Sequence, residues 1–372
     1  MTREITSVGS CADLPDAWDS LLGPDDALLD RRWLGVVERT AEAPMRYLLL
    51  HRDGELVAAV ATAFAGKEAH WPGGRPDTLL AKRTAADDAS AHEYLNTLKA
   101  QNPHAQPADV LMPALVAGGR HVGNTRVLLG PSAHVDDVEA LVAEVERVGG
   151  QHGAASTGFL YVDERDTILR HVLAERGYAS YLSAHYSRLT VPAGGIHEHI
   201  KTLSGARRRS ILTELRRLAA SDVSMSAERL TPERIAEFAP LDSALRGKYG
   251  VAWPLKRSEA SLTEIADVYG NDAFAAVART GRTVRGFGVV LRHRDRWVGR
   301  QVGFDHAYQE EQARLPLYFG LIYYWLIDEA ARAGISVINY GTGSEEAKRS
   351  RGCATTDQHC FIKLGRRGDD DG

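Results

Sequence analysis

Between Asp295 and Gly352 the hydrophobic period changes three times, and few folds accommodate the result. The run RWVGRQVGFD reads as a strand ending at Asp305-His306, and LPLYFGLIYYWLIDEAARAG as an apolar helix that stops at Gly334. ISVINYG is a second strand ending at Tyr340, and the Gly-rich TGSEEAKRSRG follows it. This order puts polar groups at the ends of two strands that flank one helix. In open α/β sheets that is where ligands sit.

A chain of 372 residues exceeds one ordinary core, which predicts two domains. With 44% apolar and 25% charged residues it has a globular composition. The net charge of −4 confines any nucleic-acid contact to a local basic patch. No apolar run approaches the roughly 18–20 residues of a membrane span, and MTREITSVGSCADLPD lacks the basic-then-apolar order of a secretory signal. Cys11, Cys353 and Cys360 form no metal-like spacing and are odd in number, so neither a metal site nor a disulfide framework is expected, and a reducing cytoplasm is the expected setting.

The hydrophobic period gives one element order twice. The first pass predicts a strand near Ile5–Val8, helices at Leu14–Leu22 and Leu29–Thr40, and strands at Arg46–His51 and Glu55–Ala65 joined by the hairpin turn Arg52-Asp53-Gly54. The stretch Gly66–Asn124 reads as irregular. Then come a strand at Arg126–Leu129, a helix at Val135–Val148, a strand at Gly158–Val162, a helix at Asp166–Arg176 capped by Gly177, and a strand at Ala179–Val191. The second pass predicts helix Gly205–Ala220, strand Val223–Leu230 and helix Pro232–Arg246. Strands Ala273–Thr280, Thr283–Arg292 and Arg296–Phe304, helix Leu315–Ala333, strand Ile335–Tyr340, a short helix near Glu345–Arg349 and strand Gln358–Leu364 follow. VPAGGIHEH reads as the boundary. The expected domains are 1–192, with a long insertion at 66–124, and 197–365; a charged tail at 366–372 reads as disordered.

Strand, two helices, three meandering strands, helix, strand, helix, strand resembles the GNAT acyltransferase fold. Two in tandem resemble the Fem-type aminoacyl transferases and the related BioF2-like acyltransferases. Three passages carry the resemblance: YLLLHRDGELVAAVATAFA, HIKTLSGARRRSILTELRRLAASDVSM, and VGFDHAYQEEQARLPLYFGLIYYWLIDEAARAGISVINYGTGSEEAKRSRG. It implies an α/β (α+β) chain of two tandem GNAT-like domains, each a mixed, mostly antiparallel sheet flanked by helices. It also implies an enzyme that forms an amide by moving an aminoacyl group from aminoacyl-tRNA to an amine of a small molecule or of a cell-wall or natural-product precursor. No permanently bound cofactor is implied. One departure bears on the donor. GNAT enzymes that use acetyl-CoA hold its pyrophosphate on a Gly-rich turn before the helix, whereas here the stretch is EEQARLPLYFG, with Arg314 but no glycine between Gly303 and Gly320. Without a glycine, backbone amides cannot closely approach a pyrophosphate. This favours the tRNA donor over acyl-CoA; a tandem-GNAT binding module without catalysis also fits.

In a GNAT-like site the donor lies between two splayed strands, here Arg296–Phe304 and Ile335–Tyr340, and a backbone N–H of the first bonds its carbonyl. Amide formation then needs a neutral amine, a stabilised oxyanion and a proton exit, but no covalent intermediate on Cys353 or Cys360. Asp305 and His306, where the first strand ends, are candidates for a base and an acceptor anchor, although Asp is also common in turns. Tyr318 lies nearest the strand ends, and Tyr340 closes the second strand. Tyr323 and Tyr324 read more simply as core. By resemblance, Lys348 steadies an oxyanion or binds a phosphate, with Arg351 as companion; Glu345 and Glu346 are expected to raise its pKa. The helix carrying Arg207, Arg208, Arg209, Arg216 and Arg217 is the one dense basic run. It reads either as a grip on tRNA or CoA phosphates or as a solvated face with Ile211, Leu212, Leu215 and Leu218 inward. A weaker signal places Trp71, Arg75, His185 and Tyr186 at an acceptor cleft. Trp18, Trp33, Trp297 and Trp325 read as packing.

Overall fold

The computed structural model describes residues 2–40, 43–68, 72–118 and 125–365. The chain forms two compact units, Met1–Tyr186 with Thr356–Gly372, and Ser187–Thr355. Its strands are β1 (Arg3–Val8), β2 (Met45–Arg52), β3 (Glu55–Ala65), β4 (Ala114–Ala117), β5 (Leu128–Leu129), β6 (Ser156–Asp163), β7 (Ala179–Thr190), β8 (Val223–Glu228), β9 (Ala273–Thr280), β10 (Thr283–His293), β11 (Arg296–Phe304), β12 (Val337–Gly341) and β13 (Ala354–Leu364).

In the first unit β1, β2, β3 and β4 form an antiparallel meander. The β2–β3 turn is the expected hairpin: Asp53 (φ 49°) and Gly54 (φ 86°) both take the positive φ that a two-residue turn needs. β4 then runs parallel to β6, and β13 pairs antiparallel to β6. Helices α1 (Ala17–Leu21) and α2 (Arg31–Thr40) come early. The stretch expected to be irregular instead holds α3 (Pro76–Ala85), α4 (Ala89–Gln101), α5 (Pro107–Leu111) and β4. Its local signals are caps, not hydrophobic stripes. Pro76 and Pro107 open their helices, and the Asp88 carboxylate accepts the Ala91 N–H at 3.1 Å. α6 (Val135–Gln151) turns Val138, Leu141, Val142, Val145 and Val148 onto Leu48, Val60 and Phe159, and α7 (Thr167–Glu175) adds Leu169, Val172 and Leu173. Each such fully buried side chain stabilises the unit by about 1.5–3 kcal/mol.

The sequence boundary grouped 197–365, yet the chain from Thr356 onward belongs to the first unit, where Gln358 pairs with Asp163 and Leu364 with Ser156. Which strand pairs with a distant one is not written in local periodicity. The expected tail, 366–372, lies outside the described residues, as does Trp71.

In the second unit β8, β9, β10 and β11 form another antiparallel meander. β11 is parallel to β12, and β12 pairs antiparallel to Ser187–Thr190 of β7. After α8 (Gly195–His199) come α9 (Gly205–Ala219), α10 (Pro232–Lys248), α11 (Leu255–Tyr269) and α12 (His306–Glu311). A helical run at 317–332, α13, is built from Leu317–Phe319, a π-helical turn Gly320–Trp325 and Leu326–Arg332; α14 is Glu345–Ser350. One sheet face packs on α13, with Leu321, Tyr323, Ile327 and Ala330 against Phe274, Trp297 and Ile338. Phe238 of α10 stacks on Phe287 of β10, with ring centroids 4.8 Å apart. α11 was not anticipated by the sequence reading.

Candidate active site

The site begins where a strand ladder stops. β11 and β12 pair only at Arg296↔Val337, Trp297↔Ile338 and Val298↔Asn339. Beyond Val298, β11 continues to Phe304 without a strand on that edge among the described residues. On its other edge, Gly288 and Val290 of β10 face Val302 and Gly299, so β11 spends one extra residue there and bulges near Arg300-Gln301. A bulge bends its strand and re-aims backbone groups. These are the two splayed strands the sequence suggested. Gln301 is held by its side-chain N–H to Ser261 Oγ of α11 at 3.2 Å.

α13 supplies an aromatic wall. Tyr318 meets Phe304, Phe319 and Tyr323 edge-on, with centroids at 5.4, 5.3 and 5.9 Å. Tyr340 stacks on Tyr323 at 4.7 Å. The π turn replaces the regular carbonyl pattern of the helix, and the Tyr340 hydroxyl donates to the Ile322 carbonyl at 2.9 Å. Tyr340 was expected to act in catalysis, but its hydroxyl is engaged in joining β12 to α13. Tyr318 is half-buried, and burial raises its pKa, so its phenol keeps its proton at neutral pH. Tyr323 is fully buried, as the core reading anticipated.

The stretch before α13 bears on the donor. The N–H of Gln312 goes to the Tyr308 carbonyl at 2.8 Å, that of Leu315 to Gln312 at 2.7 Å and that of Leu317 to Leu315 at 2.9 Å. Pro316 has none. Three of the amides between Gln312 and Leu317 are thus paired internally. Gly320, the next glycine, serves packing: a Cβ there would meet Leu218 of α9 at 2.6 Å. Arg314 is exposed, and its carbonyl accepts from Arg217 at 3.5 Å.

Lys348 lies where the sequence placed it, in an unexpected state. It is only 4% exposed, and its ammonium donates to the carbonyls of Tyr340, Gly341 and Thr342 at 2.9, 2.8 and 2.9 Å. Glu345 does pull its pKa upward, but burial dominates and lowers it from 10.5 to about 8. The expectation of a raised pKa is therefore corrected: the loss of hydration outweighs the nearby carboxylate. Lys348 clamps the turn after β12.

Asp305 and His306 are also engaged. Asp305 caps α12, accepting the Tyr308 N–H at 3.0 Å, and pairs with Arg285 at 2.6 Å; against the opposing effect of burial, the Tyr308 N–H and then Arg285 lower its pKa. A carboxylate so held is a poor base, which corrects that expectation in favour of the turn-forming alternative. His306 Nδ1 lies 3.2 Å from Gln309 Oε1. Arg351 is bound to Glu214 of α9 at 2.9 Å, with its guanidinium 3.6 Å above the Phe319 ring. Tyr324 donates to the same carboxylate. Arg351 therefore fixes α9 to the closing block, and sequence reasoning missed Glu214, its partner.

The basic helix is of mixed use. Arg208 donates to the carbonyls of Ile200, Lys201 and Leu203, Arg216 to Leu212, and Arg217 to Arg314. Arg207 and Arg209 have no side-chain partner among the described residues. In the first unit, His185 Nδ1 lies 2.6 Å from an Asp357 oxygen, and Arg75 pairs with Asp77 at 2.7 Å. Burial pushes the Cys353 and Cys360 thiols up to about 12, so both stay protonated at neutral pH.

A meander, a parallel strand pair and a crossover helix, present in both units, define a tandem GNAT fold. The sequence profile of the FemAB-like family, described as peptidoglycan biosynthesis/recognition, matches residues 121–367, and the chain belongs to that family. Its fold is similar to that of a tandem GNAT protein from the clavulanic acid biosynthesis pathway, with TM-score 0.57 and 10% identity over 99% of this chain and 100% of that one. FemX gives TM-score 0.57 and 10% identity over 90% of each chain. The L-PGS of Bacillus licheniformis gives 0.52 and 11% identity over 95% of this chain and 92% of that one. At these identities the likeness is one of fold. No curated protein sequence matches the chain. No helix among the described residues is long and apolar enough to cross a membrane.

Proposed function

We propose that the second unit forms an amide by transferring an aminoacyl group from aminoacyl-tRNA to the amine of a small molecule or of a cell-wall precursor. The carrying observation is the end of the β11–β12 ladder at Val298 and Asn339, which leaves the β11 edge beside the bulge without a strand partner among the described residues. Amides fixed in a strand stabilise a developing oxyanion without reorganising. The amine nitrogen attacks the ester carbonyl, and the bond to the ribose oxygen breaks. One proton passes from the amine to that oxygen, and Tyr318 is the neutral phenol best placed to relay it. The absence of a glycine between Gly303 and Gly320, with Pro316 and the internally paired amides of Gln312, Leu315 and Leu317, supports a donor that needs no pyrophosphate cradle.

The test offers a charged tRNA pool and, separately, acetyl-CoA, with a mixture of candidate amines, and follows donor consumption and product mass. Turnover with tRNA is expected, and Tyr318→Phe lowers kcat roughly 100-fold with an unchanged melting temperature. Turnover or stabilisation with acetyl-CoA alone sinks the tRNA donor. Silence with both sinks the transferase reading of this site and leaves a binding module.

A further inference from the structure

One cavity of the second unit belongs to none of the groups above. It lies between the start of α9 and α14, measures about 290 Å³, and is lined by Leu203, Ser204, Arg207, Glu346, Arg349 and Ser350. Two arginines from separate elements line it, Arg207 of α9 and the exposed Arg349 of α14. Neither Arg207 nor Arg349 has a side-chain partner among the described residues, unlike Arg208, Arg216, Arg217 and Arg351. Arg207 is half-buried, so it is not a freely waving surface charge. The walls are held in place. Ser204 caps α9 by accepting the Arg207 N–H at 3.3 Å, and Ser350 Oγ donates to the Ala347 carbonyl while accepting from Arg351 at 2.9 Å. Gly352, at φ 86°, lets the chain turn tightly against Leu203 and His199, where a Cβ would meet side-chain atoms at 2.8 and 2.9 Å.

We infer that this cleft binds one nucleotide unit of the acyl donor, its phosphate between Arg207 and Arg349 and its ribose hydroxyl on Glu346. Paired guanidiniums suit phosphate oxygens. The carboxylate at the same cleft would repel a bare anion, but it accepts from a sugar hydroxyl. The cleft is about the size of a phosphate with its sugar, and it opens beside the α14 block that closes the proposed transfer site. The inference deepens the donor reading above and rests on it for the donor's role, but the cleft's affinity is measurable without turnover.

The test measures binding of an uncharged acceptor-stem RNA hairpin, of CoA and of inorganic phosphate. The full chain is compared with Arg207→Ala, Arg349→Ala and Arg332→Ala, the last removing an exposed arginine outside the cleft. Thermal melting checks that each variant folds. Arg207→Ala and Arg349→Ala should each weaken RNA binding roughly tenfold and reduce its salt slope by about one, whereas Arg332→Ala should leave both within twofold. The same pattern with CoA and not RNA upholds the cleft and makes CoA the source of the phosphate. Equal losses in all three variants, or none in the cleft variants, overturn the inference, as does phosphate competing as well as the hairpin. Transfer assays separate the two claims. Turnover with an unchanged donor KM in both cleft variants sinks the cleft and spares the transferase. RNA binding that depends on Arg207 and Arg349 without any turnover does the reverse.

Discussion

Replacing Lys348 with Met distinguishes a clamp from a free cation. Methionine keeps the length and apolar stem of the side chain and removes the ammonium. Three carbonyls, of Tyr340, Gly341 and Thr342, then lose a donor at 2.8–2.9 Å. Leaving a buried polar group unpaired costs about 1–3 kcal/mol, so the gross loss is roughly 6 kcal/mol. Against it stands the penalty of burying a charge: the fall in pKa from 10.5 to about 8 corresponds to about 3 kcal/mol. The net expectation is a loss of ~3 kcal/mol, or about 6–12 °C in melting temperature for a unit of this size. The pH dependence adds a second readout. Between pH 8 and 10.5 the unfolded chain binds more protons at Lys348 than the folded one. Wild-type stability should therefore gain on that of the variant as pH rises through this window, the burial penalty being fully present below it. Urea unfolding at several pH values tests both. A variant as stable as wild type yet inactive would refute the clamp and restore Lys348 to a direct part in the chemistry.

Two further expectations follow from buried partners. Glu214→Gln leaves the Arg351 guanidinium, 5% exposed, without its counter-charge and should cost about 3 kcal/mol; Glu214→Gln with Arg351→Met should recover part of it, and a neutral single variant would show that α9 is not fixed this way. Burial, then Glu38, pushes Cys11 up to about 11, and burial pushes Cys353 and Cys360 to about 12. No thiol of the folded protein should therefore react with a disulfide reagent at pH 8 at the rate of free cysteine; one fast equivalent would expose a thiolate that the structure does not contain.

What was legible in the chain was whatever local pattern encodes. The Asp53-Gly54 hairpin, the meander at 273–304 and the β11–α13–β12 order each follow from hydrophobic period and turn residues within a few positions of one another. α3, α4 and α5 were obscured because their sequences carry weak stripes and announce themselves only through Pro76, Asp88 and Pro107. The placement of β13 beside β6 is a choice among distant strands. At the site, residue types were easier to locate than their states. Lys348 was found, but its partners are carbonyls, which every residue carries and no sequence distinguishes. The π turn at Gly320–Trp325 gave no signal, although it positions the Ile322 carbonyl for Tyr340.

The states of these residues change where the chemistry should be sought. Tyr340, Lys348, Arg351 and Asp305, four polar side chains that local reasoning placed at the strand ends, are each bonded to a partner that joins two elements. Tyr340 ties β12 to α13, Lys348 closes the turn before α14, Arg351 anchors α9, and Asp305 links β10 to α12. In the proposed reaction, bonds of this kind would hold the gap beside β11 at a fixed width, and a fixed gap would let backbone amides stabilise an oxyanion without moving. Truncating any of the four should thus lower activity chiefly by loosening the frame, with stability falling in step. Tyr318, whose neighbours are mostly rings, is the side chain whose loss should change the rate and leave the frame intact. Ranking variants by activity alone would confuse these roles, whereas plotting activity against stability separates them: the four framing residues should fall on one line and Tyr318→Phe well below it.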